Sequence, residues 1–178
     1  MNNLVKIAAL TALVGAALVP STGEAAVVQR QSIANAPARC QAFTPGVSNT
    51  IRNRVIGSEN VGTNPLAVAC AFEKPSGTGI SNIISVQAYF STNTGSALTV
   101  TCTMLTGWQG MAGAVAVTKT VSVTSNNATQ QITFSSADTP STTDVDLGTS
   151  NEVGINCTLP FGAVLNDTYL RYTEEDGV

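Results

Sequence analysis

The sequence predicts an all-β fold: an antiparallel β-sandwich of jelly-roll or immunoglobulin-like type, with about eight strands and stapled by disulfides. Three observations support this prediction. Apolar residues alternate with small or polar residues at a period of two in several segments. Clusters of Gly, Asn, Pro and Ser separate these segments at the interval typical of sandwiches. No segment after residue 25 shows apolar residues at helical spacing.

Three segments centred on a cysteine show the clearest alternation: LAVACAF (66–72), LTVTCTM (98–104) and VGINCTL (153–159). In a strand, side chains two residues apart lie on the same face of the sheet. The apolar neighbours on the cysteine face are Val68, Phe72, Val100, Met104, Ile155 and Leu159. We therefore predict that this face is buried in the core and that the opposite face is not.

The other predicted strands follow in chain order and are rich in β-branched residues, which favour strands. They are IRNRVIG (51–57), NIISVQAYF (82–90), AVAVTKTVSVT (114–124), TQQITFS (129–135) and TYLRYTE (168–174). Between the first of them and LAVACAF, the segment SENVGTNP (58–65) is rich in turn formers and is predicted to be a turn. Residues 136–151 are polar and are predicted to be a loop.

The first 25 residues are predicted to be a secretory signal peptide. One lysine precedes an apolar run, and small residues precede the expected cleavage after Ala25. The run is shorter than the roughly 20 residues that a membrane-spanning helix needs. Residues 26–39 lack clear periodicity and are predicted to be a loose leader. Residues 40–178 are predicted to form a single sandwich domain, secreted to the extracellular space or the periplasm.

Export would bring the four cysteines into an oxidising compartment, so we expect two disulfides. The cysteines are Cys40, Cys70, Cys102 and Cys157. Sequence alone leaves three pairings open, and we favour Cys40–Cys70 with Cys102–Cys157, the arrangement without nested loops. A zinc site is disfavoured because the sequence contains no CxxC pair and no histidine. No cofactor is expected.

Part of this pattern resembles small exported proteins of proteobacteria, which are largely uncharacterised and have a predicted β-sandwich fold. The Cys-Gln pair at 40–41, a Gly-x-x-Asn turn at Gly57–Asn60 and Cys70 fit their pattern, and TVTCTM, INCTLP and LRYTE are similar to its second half. The chain departs from it at Ala71, where such proteins commonly have proline. The resemblance implies export and a Cys40–Cys70 bridge, and it implies no activity.

Candidates for catalysis are few. The absence of histidine removes the usual base of Ser-His-Asp and Cys-His sites, and no GxSxG motif is present. Acid–base hydrolysis of a glycan would need two carboxylates about 5 to 9.5 Å apart. The candidate carboxylates are Glu73, Asp138, Asp144, Asp146 and Glu152. Solvated surface charges are the simpler interpretation of these residues.

Two candidate binding features remain. Asp144 and Asp146 could share a Ca²⁺ with Asn151 or Glu152, although the loop lacks the spacing of an EF-hand and a metal-free loop is favoured. Trp108, on the glycine-flanked segment GWQGM, could stack on a sugar ring or anchor a protein partner, or it could cap the core.

The overall charge disfavours a nucleic-acid partner, since the net charge is −3, the isoelectric point is about 4.7 and Arg52 and Arg54 make no basic patch. After signal cleavage no membrane insertion is expected. We favour a secreted, non-catalytic module that binds a glycan or a surface protein. The alternatives are a secreted carbohydrate-active enzyme with paired carboxylates, and a structural subunit of a fibre or coat completed by a neighbour's strand. Poor alternation in AVVQRQSI of the leader counts against the last.

Overall fold

The structure, a computed structural model, describes residues 26–43, 50–73, 82–106, 115–124, 126, 130–139 and 152–176. In this part of the chain, eleven strands form two antiparallel sheets that pack face to face. The predicted all-β antiparallel sandwich is therefore confirmed, with more strands than the eight expected. Within these ranges no helix is long and apolar enough to cross a membrane.

The two sheets contain six and five strands. The six-stranded sheet consists of β1 (Ala26–Asn35), β3 (Ile51–Arg54), β4 (Gly57–Asn60), β6 (Ile83–Thr92), β9 (Gln130–Ser135) and β11 (Ala163–Asp176). The five-stranded sheet consists of β2 (Cys40–Ala42), β5 (Leu66–Glu73), β7 (Leu98–Thr106), β8 (Val115–Val123) and β10 (Glu152–Leu159). A short helix, α1 (Ala36–Arg39), and a 3₁₀ turn (Ser136–Asp138) complete the described elements.

The strand order places the long strand β11 at the centre of the first sheet. Its order is β3-β4-β11-β6-β9, and β1 also pairs with β11. Because β6 lies along one edge of β11, β4 and β1 share the other edge, one after the other. The second sheet has the order β2-β5-β10-β7-β8.

The three cysteine segments are neighbouring central strands, β5, β10 and β7, of the five-stranded sheet. All six apolar residues predicted to share the cysteine face are buried. The inner faces of both sheets contribute to one core, in which Phe72, Phe90 and Phe134 are among the largest fully buried side chains. The period-two alternation thus identified the core side of each strand correctly.

Both disulfides link residues that lie directly opposite each other on adjacent strands. Cys40 is bonded to Cys70 between β2 and β5, and Cys102 to Cys157 between β7 and β10. This is the pairing favoured from the sequence. Because both bridges lie within the five-stranded sheet, they fix the register of its strands, and burial of the apolar core holds the two sheets together.

Residues 26–39 are not the loose leader that the sequence predicted. Residues 26–35 form β1, which pairs along its whole length with residues 167–176 of β11, and residues 36–39 form α1. The prediction failed because β1 is held by backbone pairing and is exposed on most of its length, so it needs no apolar alternation. Only Ala36, just after it, joins the core.

The segment predicted to be a turn at 58–65 begins as strand β4, all of which is buried. Burial of this polar strand is possible because the side chain of Asn60 is hydrogen-bonded. The Nδ2 atom of Asn60 donates hydrogen bonds to the backbone carbonyls of Asn64 (2.9 Å) and Leu159 (2.8 Å). Its Oδ1 accepts a hydrogen bond from the backbone N–H of Gly62 at 2.9 Å. A polar strand can be buried when each polar group has a partner, which composition alone does not reveal.

An ion pair ties the two sheets together at their β8–β9 edge. Lys119 shares a face of β8 with Val117 and Val121, which pack against the core. Its Nζ lies 2.7 Å from Asp138 Oδ1 and donates a hydrogen bond to the backbone carbonyl of Thr133 at 2.7 Å. Because β8 and β9 belong to different sheets, this lysine links the two sheets through polar contacts, as the hydrogen bond from Asn60 on β4 to Leu159 on β10 does elsewhere.

The Lys119–Asp138 pair makes stability sensitive to acid. Burial raises the pKa of the Asp138 carboxyl, but hydrogen bonds from Lys119 and Ser135, with the lysine charge, outweigh burial and hold this pKa below its ordinary value. Its stabilisation is therefore present above about pH 4 and is lost as the pH falls through the lower, folded-state pKa. We expect Asp138→Asn to lower stability near neutral pH and to reduce the further loss of stability as the pH falls below about 4.

Urea denaturation across this pH range measures the effect. Glu174→Gln is the matched control, because the Arg30–Glu174 pair is more exposed and should contribute little. Equal acid sensitivity in Asp138→Asn and the wild-type protein would show that the Asp138 carboxyl does not stabilise the fold.

Candidate functional site

A groove crosses the outer face of the five-stranded sheet, on the side opposite the core. It encloses about 460 Å³. Its lining residues come from the end of α1, from β2 and the residue after it, and from β5, β7 and β10: Arg39, Gln41, Phe43, Ala69, Cys70, Ala71, Leu105, Gly154, Ile155 and Asn156. We call this feature the groove.

The groove is a depression in the sheet because the outward-facing residues on its floor are small. Gly154 on β10 lies opposite Ala71 on β5 and Leu105 on β7. A Cβ atom added to Gly154 would meet no atom within 4 Å, so the space above this residue is open. Alanine and glycine at neighbouring outward positions therefore leave a depression between the bulkier residues beside them.

Two amide side chains stand in the next row of the sheet. Gln41 on β2 and Asn156 on β10 both lie opposite Ala69 on β5, one on each side of it. Gln41 is exposed, whereas the Oδ1 atom of Asn156 is buried and has no hydrogen-bond partner. Buried polar atoms in native proteins nearly always have a partner, so an unpaired acceptor in a groove marks a position where a ligand donor would be stabilised.

Phe43 and Arg39 form one side of the groove. The side chain of Phe43 is 62% exposed, and the backbone N–H of this residue donates to the carbonyl of Ala67 at 2.9 Å, which anchors it to β5. The guanidinium of Arg39 lies 4.9 Å from the ring centroid of Phe72 and donates a 2.9 Å hydrogen bond to Ser32 Oγ. Burial lowers the pKa of Arg39. The arginine is therefore a fixed cation at the groove wall, and the phenyl ring is open to a ligand.

The carboxylates proposed from the sequence are not groove-lining residues in the described part of the chain. Asp138 is paired with Lys119 at the opposite edge of the sheet. Glu73 and Glu152 do come together, since the strand register places them directly opposite each other on β5 and β10. They lie one row beyond Ala71 and Gly154, at the end of the groove. The side chain of Glu152 lies outside the described atoms.

The other predicted site residues lie outside the described ranges. Trp108, Asp144 and Asp146 all fall there, so their roles stay predictions. Among the described residues, no group of three or more Cys, Asp or Glu side chains is arranged to hold a metal ion.

The sequence did not lead us to predict the groove, although the small residues that form its base are visible in the sequence. The faces opposite the cysteines carry Ala69 and Ala71 on one strand and Gly154 and Asn156 on another. Small residues on the outer face of adjacent central strands create a depression, but which strands are adjacent is known only from the sheet order. Phe43 follows a three-residue strand, which is too short to show any periodicity.

Several solved structures match this chain over most of its length at low sequence identity. A family two carbohydrate esterase from Cellvibrio japonicus matches 85% of this chain and 37% of its own, at 8% identity and a TM-score of 0.46. The xylan-binding module CBM15 matches 86% of this chain and 100% of its own, at 8% identity and a TM-score of 0.36. A family 11 carbohydrate-binding module from Clostridium thermocellum matches 89% and 92%, at 7% identity and a TM-score of 0.38.

This chain spans little more than a third of the length of the esterase structure. No protein-family model matches the sequence, and no curated protein matches it.

Proposed function

We propose that the protein is a non-catalytic module that binds a neutral glycan in the groove. The observation that carries this proposal is the exposed Phe43 ring, set beside amide side chains in one concave surface. A pyranose ring stacks its C–H face on an aromatic ring, and its hydroxyls both donate and accept hydrogen bonds, as amide groups do. Few polar groups in a largely apolar depression are also typical of small-ligand sites.

Each groove residue has a role in this proposal. Phe43 stacks on one sugar ring, and the unpaired Oδ1 of Asn156 accepts a hydrogen bond from a sugar hydroxyl. Gln41 supplies a second amide in the same row of the sheet. The small residues of the floor let the sugar approach the backbone of β5 and β10. A neutral glycan fits best, because Arg39 is the one charged residue among the described lining residues and is already engaged by Phe72 and Ser32.

The disulfides support a location outside the cytoplasm, in the extracellular space or the periplasm. Two disulfides persist in an oxidising compartment, where polysaccharides and surface glycans are also found. A predicted signal peptide over residues 1–25 agrees with this location.

Phe43→Ala tests the proposal. We expect the variant to keep its fold and its disulfides and to bind glycan about thirtyfold more weakly, the loss typical of a truncated aromatic anchor. Affinity electrophoresis in gels containing xylan, β-1,4-galactan or mixed-linkage β-glucan measures binding. Isothermal titration with the matching oligosaccharides gives the affinity.

Phe161→Ala is the matched control, because Phe161 is also a largely exposed phenylalanine but lies in the turn between β10 and β11, away from the groove. A second variant, Gly154→Leu, fills the floor without removing any side chain and should block binding as strongly as Phe43→Ala. Binding that neither variant weakens would place the glycan outside the groove, and failure of the wild-type protein to bind xylan, β-1,4-galactan and mixed-linkage β-glucan would overturn the proposal.

A carbohydrate-active enzyme is the second candidate, and the register of Glu73 and Glu152 is the observation that favours it. Residues directly opposite each other in an antiparallel pair have Cβ atoms about 5 Å apart, and two like charges there are unfavourable without a compensating partner. Acid–base hydrolysis of a glycan needs two carboxylates about 5 to 9.5 Å apart, and this register brings two glutamates to neighbouring backbone positions. Release of reducing sugar that Glu73→Gln abolishes would establish this function in place of the non-catalytic one.

A further inference from the structure

The outer face of the six-stranded sheet, on the opposite side of the molecule from the groove, carries a pair of tyrosines. Tyr89 on β6 lies between the buried residues Ala88 and Phe90, so its ring projects from the outer face. Tyr169 on β11 projects the same way, since both of its chain neighbours are buried. The two ring centroids are 4.8 Å apart with an interplanar angle of 51°.

Polar side chains of β6, β9 and β11 continue this surface. Tyr169 lies opposite Gln87 on β6 and Ile33 on β1, and Gln131 on β9 lies opposite Tyr89. The hydroxyl of Tyr89 donates a hydrogen bond to Gln87 Oε1 at 3.0 Å, which orients both groups. We call Tyr89, Tyr169, Gln87, Gln131, Arg171, Ser85 and Thr133 the tyrosine platform.

Two hydroxyls in the tyrosine platform are buried without partners. Ser85 is only 5% exposed and lies opposite Arg171, and its Oγ forms no hydrogen bond. Thr133 lies opposite Gln87, and its Oγ1 is likewise buried and unpaired. Each side chain is on the outer face because its neighbours Val86, Ile132 and Phe134 face the core. Unpaired hydroxyls on the solvent side of β6 and of the edge strand β9 would be stabilised by a polar ligand that covers these strands.

We propose that the tyrosine platform is a second glycan-binding site, so that one domain binds two neutral glycan chains on opposite faces. The tyrosine rings supply stacking surfaces, the glutamine amides supply donors and acceptors, and the unpaired hydroxyls of Ser85 and Thr133 bond to the sugar. A polyanion would require several cations, and the platform has one, Arg171. Beside the two tyrosines the strand register places Gln87 and Gln131, which are polar, and Ile33, which is aliphatic and 51% exposed. These mainly polar surroundings favour a sugar over a protein partner. This inference rests on the proposed function.

Stoichiometry tests the inference. Titration with hexasaccharides of β-1,4-xylose, β-1,4-galactose and mixed-linkage glucose should give two bound oligosaccharides per wild-type chain. Phe43→Ala and Tyr169→Ala should each leave one strong site and weaken the other about thirtyfold, and the double variant should bind none tightly. Gln87→Ala keeps both tyrosine rings and should also weaken binding at the tyrosine platform. Weaker binding in this variant shows that the loss in Tyr169→Ala comes from the site and not from misfolding after removal of a ring. Circular dichroism checks the fold of each variant.

The outcomes separate the two proposals. One site per chain, abolished by Phe43→Ala and unaffected by Tyr169→Ala and Gln87→Ala, would overturn the tyrosine platform and keep the groove. One site abolished by Tyr169→Ala and Gln87→Ala alone would keep the platform and overturn the groove. No binding of any of these hexasaccharides by the wild-type protein would overturn both. A bivalent domain should also capture soluble labelled xylan, galactan or mixed-linkage glucan onto beads that carry the same polysaccharide, and the single variants should not.

Discussion

Val100→Asp is expected to unfold the domain under conditions in which Thr101→Asp leaves it folded. Val100 is fully buried, with 0% of its side chain exposed, and lies opposite Val121 on β8 in the interior of the sandwich. An aspartate there would be a charge with no partner and no water, which costs more than the whole stability of a typical domain of this size can supply. Thr101 faces outward from the same strand and is partly exposed, so a charge at that position stays solvated.

Circular dichroism and urea denaturation of the two variants, with disulfides intact, measure this difference. Val100→Ala is a useful intermediate, because it removes two methyl groups without adding a charge and should cost about 2 kcal/mol. If both aspartate variants unfolded, the outer face of β7 would be as buried as the inner one. If neither unfolded, β7 would not lie at the core.

The alternation of β5, β7 and β10 was predictable because each strand buries one face and exposes the other. Strand β1 was not, since its ten residues pair with β11 through the backbone while their side chains are mostly exposed. Its pairing also weakens the objection that the leader could not form a strand. A fibre or coat subunit completed by a neighbour's strand would need β1 to pair with another copy. In this structure β1 pairs with β11 of its own chain.

The candidate sites were less predictable than the fold because they depend on which strands are neighbours. Asn156 and Ala69 are 87 positions apart in the chain (156 − 69) and become adjacent only through the pairing of β5 with β10. The same holds for Glu73 and Glu152, which the sequence identified as carboxylates but could not place side by side. Tyr89 and Tyr169 lie on strands whose register shifts between Leu165 and Thr168, which no sequence pattern indicates.

The second large effect is expected for Gly57→Ala. Gly57 has a φ of +143°, which residues with a side chain rarely adopt, and a Cβ atom there would lie 2.2 Å from the backbone oxygen of Leu165 and 2.7 Å from Cα of Asn166. Alanine could fit only if β4 moved away from β11, which would break the pairing of Leu165 with Ser58 and disturb the buried Asn60. We expect a loss of about 3 kcal/mol or more.

Substitutions at two other glycines are controls for the stability loss expected in Gly57→Ala. Gly95 has a φ of +70° with no atom within 4 Å of an added Cβ, so Gly95→Ala isolates the backbone strain and should cost about 1 kcal/mol. Gly154 has open space and no left-handed φ, so Gly154→Ala should change stability by less than about 1 kcal/mol in either direction. Urea denaturation should therefore rank the losses as Gly57 above Gly95 above Gly154. A Gly57→Ala loss no greater than that of Gly95→Ala would mean that β4 can shift without cost, and that the close approach of β4 to β11 is not what requires glycine at this position.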